Sequence, residues 1–145
     1  MPFKKYFLII CCALAVMAGG CKKKKKDDGT PVTPPAQEAE LAITIPNINL
    51  NQDNNAAQGN TLGVTVNVTS TPLPPEGYTI TITATNPAGE VIAQNAAVAG
   101  TGGSTDITLI NLPSLQVAKI VVTVTSNTKP SNTKTFRFGV MNKVP

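Results

Sequence analysis

From Leu41 onward the sequence predicts an all-β fold, one antiparallel β-sandwich of about seven strands. Three observations predict it. Apolar and polar residues alternate at period two through nearly every patterned stretch. Those stretches are rich in Val, Ile and Thr, whose branched side chains suit a pleated, half-buried surface. No segment has a convincing 3.6-residue period, and the gaps between stretches carry turn residues.

The elements follow in order. Leu41, Ile43 and Ile45 alternate with Ala42 and Thr44, and Leu62, Val64, Val66 and Val68 with Gly63, Thr65, Asn67 and Thr69. Tyr78, Ile80, Ile82 and Ala84 alternate with Thr79, Thr81, Thr83 and Thr85. A short piece at Val91 to Gln94 follows the turn Asn86-Pro87-Ala88-Gly89. Ile107 to Leu112, Ala118 to Thr125 and Thr135 to Val140 complete the set, the last with Phe136, Phe138 and Val140 on one face and Arg137 on the other. Pro72 to Gly77, Gly100 to Gly103 and Ser126 to Pro130 are the turns between them. Gln94 to Val98 is alanine-rich but too short for a stable helix, and glycines follow. The domain is expected over 41–140, with a tail at 141–145. Strand number and spacing resemble an immunoglobulin-like or fibronectin-type-III-like domain, although the Cys-Trp-Cys core and the corner tyrosine of the former are absent. The resemblance implies a fold and no ligand.

The residues before the domain have a different composition. Lys4 and Lys5 precede an apolar run, Phe7 to Ala18, that ends in Gly19-Gly20, the three parts of an export signal over 1–20. The run is about a dozen residues, short of the roughly 20 that cross a bilayer as a helix. Ala18-Gly19-Gly20-Cys21 resembles a bacterial lipobox, with Ala18 where a branched aliphatic is usual. That resemblance implies cleavage between Gly20 and Cys21 and acylation of Cys21, palmitate among the chains. Cys11 and Cys12 would leave with the signal. The alternative is an ordinary signal-peptidase site and a leftover thiol.

Lys22 to Lys26 and then Asp27-Asp28 follow. Lys26, Asp27 and Asp28 resemble the export signal of Bacteroidota surface lipoproteins, set further from the Cys than usual; a solvated charged spacer is the competing reading. The resemblance implies an outer-membrane protein facing the cell exterior, with the periplasmic face as alternative. Gly29 to Glu40 contains Pro31, Pro34 and Pro35 and no apolar period, a semi-rigid stalk completing a tether over 21–40.

Charge must be read by region. The chain has 12 Lys plus Arg and 8 Asp plus Glu, for a net charge of +4. Seven of the basic residues lie in the first 26 positions, whereas from Gly29 onward five basic residues face six acidic ones. A domain near neutrality gives no electrostatic footprint for nucleic acid. With no His there is no imidazole base or ligand, and all three Cys fall in the first 21 residues. Asp53, Glu76, Glu90 and Asp106 are dispersed along the chain, with no pair spaced for acid/base work. Asn47 to Asn55 places oxygen side chains at alternate positions but lacks the glycine and the bidentate Glu of a calcium loop, and reads as an Asn-rich turn. No catalytic residue, cofactor or metal is expected.

What remains is surface. Thr79, Thr81 and Thr83, with Thr65, Asn67, Thr69, Thr85, Thr123 and Thr125, form an outward array able to meet glycan hydroxyls, ordered water or another strand; a merely solvated face is the alternative. The expected partners are the bilayer, through acylated Cys21, and an unidentified protein or glycan. The functional expectation is a non-catalytic anchored binding or accessory module. The alternatives are an envelope or fimbrial subunit pairing through strand edges and a carbohydrate-binding lipoprotein.

Overall fold

A computed structural model describes residues Gln37 to Pro145; Gly20, Cys21, Lys26, Asp27 and Asp28 lie outside the described residues. Nine strands follow one another: β1 (Ile43–Thr44), β2 (Asn55–Ala57), β3 (Leu62–Val68), β4 (Tyr78–Thr85), β5 (Val91–Ile92), β6 (Val98–Gly100), β7 (Ser104–Leu109), β8 (Val117–Ser126) and β9 (Thr133–Asn142). They form two sheets, a three-stranded one in the order β1-β3-β7 and a six-stranded one in the order β2-β9-β8-β4-β5, with β6 also on β4. The all-β sandwich read from the sequence is the fold, and its strand order is that of an Ig-like sandwich.

Alternation decides which residues meet. Val64, Val66 and Val68 from β3, Ile107 and Leu109 from β7, Tyr78, Ile80 and Ala84 from β4, and Ala118, Ile120, Val122 and Val124 from β8 are all buried, as are Phe138 and Val140 from β9. Burying a Val, Leu, Ile or Phe side chain contributes about 1.5–3 kcal/mol, so this inter-sheet layer carries the stability. Tyr78 is fully buried yet loses no hydrogen bond. Its hydroxyl donates to the Gly102 carbonyl at 2.9 Å or to Thr105 Oγ1 at 2.8 Å, accepting from the latter in the first case.

Several details differ from the sequence expectation, and of the stretches expected at 41–45 and 91–94 only Ile43–Thr44 and Val91–Ile92 are strand. Two short strands, β2 and β6, join the expected seven, and β2 lies parallel to β9 through Asn55–Val140, Ala56–Met141 and Ala57–Asn142. The strand expected at 107–112 is shifted to Ser104–Leu109. The Gly103 carbonyl already accepts from Val68 N–H at 2.8 Å, and beyond Leu109 Asn111 turns the backbone left-handed, φ 57°. The last strand reaches Asn142, past the expected end at Val140, because Lys143 N–H still bonds the Ala57 carbonyl at 3.0 Å.

At the other end the domain begins before Leu41. Asn132, in the β8–β9 hairpin, accepts from Leu41 N–H at 2.9 Å and donates to Ala39 O at 2.9 Å and Glu38 Oε1 at 2.6 Å. Glu40 pairs with Lys134. Residues 38–40, expected as the last of the tether, are therefore fastened to the hairpin.

Candidate binding face

The outward face of the six-stranded sheet collects Thr79, Thr81, Thr83, Thr85, Thr123 and Thr125. Thr65, Asn67 and Thr69 lie on or just after β3 in the other sheet, so the single array expected from the sequence is divided between two sheets. Register places the threonines of the six-stranded sheet in rows: Thr79, Thr125 and Thr133 stand side by side on β4, β8 and β9, and Thr81, Thr123 and Thr135 form the next row. Adjacent strands are about 4.8 Å apart, so each row is a short ladder of hydroxyls. Part of the array is internally bonded. Thr133 Oγ1 donates to Thr125 Oγ1 at 3.1 Å, and Thr79 Oγ1 to Asn127 Oδ1 at 2.8 Å. Thr81 and Thr83 are exposed. They flank a gap in the β4 edge, because β6 pairs only with Tyr78 to Ile80 and β5 only with Ala84 and Thr85.

Beyond the threonines the rows change character. Thr83, Val121 and Arg137 form the third, and Thr85, Lys119 and Gly139 the fourth. Gly139 has no side chain to complete its row, and the loop Asn51 to Asp53 folds over it. A Cβ at 139 would stand 2.9 Å from Asp53 Cα. Two short backbone bonds hold the loop there: Asn51 N–H donates to Arg137 O and Gly139 N–H to Gln52 O, each at 2.7 Å. Asn55 reinforces it from within. It is 7% exposed, accepts from Asn49 N–H at 2.7 Å and donates to Asn49 O and Gly139 O, each at 3.0 Å.

Asp53 thus takes the place of a side chain at 139 and pairs with Lys119. Asn51, Asp53, Lys119, Val121 and Arg137, with Ile120 and Phe138, line an open depression of about 460 Å³. Among the described residues Arg137 has no carboxylate within ion-pair distance, so it is the unbalanced cation of this corner. A second depression of about 340 Å³ lies where the chain joins the domain, between Glu38, Glu40, Lys129 and Asn132. There the hydrogen bond from Lys134, and then its charge, hold the Glu40 carboxyl below its ordinary value.

The oxygens of Asn47 to Asn55 do not converge. Asn47 Oδ1 accepts from Thr65 N–H, Gln52 Oε1 from Asn54, Asn55 Oδ1 from Asn49 N–H, and Asp53 pairs with Lys119. Among the described residues no cluster of three or more His, Cys, Asp or Glu side chains could hold a metal. The four dispersed carboxylates stay apart. Asp53 lies over β9, Glu76 in the β3–β4 connection, Glu90 in the β4–β5 turn on Asn86, and Asp106 on β7 beside Thr65.

Sequence reasoning brought Thr79, Thr81 and Thr83 to one face and pointed Arg137 outward, as the structure places them. It missed the Asp53–Lys119–Arg137 corner. The available signal was Gly139, a glycine inside an alternating strand, which marks a place where another backbone comes close. The structure thus presents an outward sheet face of an Ig-like sandwich with a charged corner. No family model matches the chain, and no curated protein or solved structure matches it either.

Proposed function

We propose that the chain is a lipid-anchored, non-catalytic binding or accessory module of the bacterial outer membrane, facing the cell exterior. One observation carries the reading: the segment that leads to Cys21 is fastened at Asn132 and Lys134, on the β8–β9 hairpin, while the threonine rows and charged corner occupy the outward sheet face. An anchor at Cys21 would then reach the domain through residues 38–40 and leave the polar sheet face for a partner. One acyl chain alone anchors only marginally, and two or more hold the chain in the bilayer effectively permanently.

The edge-pairing alternative finds less support. Gln94 donates to Ile110 O at 2.8 Å and accepts from Ile110 N–H at 3.0 Å, closing the end of β7 as a neighbouring strand would. On the six-stranded sheet, the outer edge of β9 is covered from Arg137 to Asn142 by Asn51, Gln52 and β2.

Fractionation and protease access test the proposal. Cys21→Ser is expected to release the protein from membranes, and protease added to intact cells to remove the domain. Replacing Asp27 and Asp28 by Ala is expected to protect it. A Cys21→Ser chain that stays with the bilayer fraction overturns the anchor, and a domain untouched on intact cells overturns surface display.

A further inference from the structure

The outward face offers hydroxyls and one unbalanced cation, and their relative worth decides what it can hold. A threonine hydroxyl that bonds a sugar hydroxyl gives up a bond to water, so the net gain per contact is small. Aromatic stacking does not add to it, because Tyr78, Phe136 and Phe138 all occupy inward positions of β4 and β9. A neutral glycan therefore gains little here. Arg137 differs: its guanidinium presents a fixed fork of donors that suits a carboxylate, and such charge-assisted bonds are the stronger ones. Lys119, diagonal to it across β8 and β9, is already balanced by Asp53.

We propose that this face binds an acidic polysaccharide, with Arg137 holding a uronate carboxylate in the depression formed with Asn51, Asp53 and Lys119 and the threonine rows meeting the sugar hydroxyls. The inference rests on the binding-module reading and names its ligand class. From Arg137 to Thr133 the rows run four residues along β9, about 13 Å, longer than a single sugar ring. A free phosphate would use the guanidinium and leave the threonines untouched; a polyhydroxylated chain bearing carboxylates uses both. The loop Asn51–Asp53 fixes the site, since its bond to the Arg137 carbonyl sets the backbone from which that side chain projects.

Isotope-labelled full chain in detergent micelles tests this by titration with oligogalacturonate, a neutral maltooligosaccharide of the same length, and inorganic phosphate. The signals followed are the Arg137 side-chain N–H and the Thr81 and Thr123 amides. Oligogalacturonate is expected to move all three, with an affinity that falls as salt is added. Arg137→Gln is expected to weaken it about tenfold or more at unchanged thermal stability, and Arg137→Lys to restore part. Equal affinity for the neutral oligomer, full affinity in Arg137→Gln, or phosphate binding at Arg137 with no oligogalacturonate response each overturns the proposal. Silence toward oligogalacturonate in a chain that remains Cys21-anchored and surface-exposed overturns this inference and leaves the binding-module reading intact.

Discussion

Replacing Gly139 by Ala probes how the charged corner is held together. The added Cβ would meet Asp53 Cα at 2.9 Å, closer than real Cβ atoms approach, and the obstacle is backbone, so the loop must lift. Lifting it breaks Asn51 N–H to Arg137 O and Gly139 N–H to Gln52 O. At about 0.5–1.5 kcal/mol each, these two bonds put the loss at about 1–3 kcal/mol. The Lys119–Asp53 pair adds little, because both side chains are 55% exposed. Removing a glycine from the unfolded chain returns about 0.4–1 kcal/mol, leaving a net destabilisation of about 1–2 kcal/mol. With a urea slope of about 1–3 kcal/mol/M, the midpoint should fall by about 0.3–2 M. Gly63→Ala is the control: it also lies inside a strand, but nothing stands within 4 Å of its Cβ, and its midpoint should hold or rise. Hydrogen exchange supplies the second readout, with faster exchange expected at the Asn51 and Gly139 amides. A Gly139→Ala protein with the native midpoint and both amides still protected would refute this account of the corner.

Two further outcomes concern the attachment pole. Asn132→Ala leaves the Leu41 N–H, in a residue 2% exposed, without its acceptor and removes both amide donations; a loss of about 2–4 kcal/mol is expected in urea unfolding, with new protease cleavage near residues 38–41. For Glu40, the folded value is lowered by the Lys134 hydrogen bond and charge, so the pair's contribution is present above the unfolded carboxylate value and lost as pH falls through the lower folded one. An NMR titration of Lys134→Gln should show the Glu40 midpoint rising to the ordinary carboxylate value; an unchanged midpoint would remove Lys134 as the cause.

Legibility in the sequence was fullest for the long elements, while β1 and β5 were read only as parts of longer alternating stretches. β3, β4, β8 and β9 run seven to ten residues, enough for several turns of the period-two pattern, and their inward and outward faces could be read directly. β2 and β6 are three residues each, too short to establish any period, and exist because a long neighbour supplies the other half of the ladder. The outward parity of the threonines was legible, since side-chain parity is local, but the placing of Thr65, Asn67 and Thr69 with the other sheet was not. Nor was the alignment of the threonine rows across β4, β8 and β9, because register depends on pairings the pattern does not encode. The charged corner is less local still, joining Asp53 to a lysine 66 residues away over a parallel contact.

Asparagine and glutamine explain much of what composition left open. They read as turn residues or weak ligands, yet in the fold many stand in for missing strand partners. Gln94 bonds both backbone groups of Ile110, Asn111 reaches Ala93 O, and Asn142 reaches Leu112 O from a buried position. Asn55 and Asn132 likewise tie incoming chain to β9 and to the β8–β9 hairpin. A small sandwich has many edges relative to its core, and an edge with unpaired backbone groups invites another chain. A side-chain amide carries a donor and an acceptor like a peptide group, so it satisfies such an edge without extending it. An assembling subunit would need those groups open. Edges closed at Ile110 and along Arg137 to Asn142, with a gap of only three residues on β4, favour partners that meet side chains, and on the outward face the residue with most to offer a ligand is Arg137.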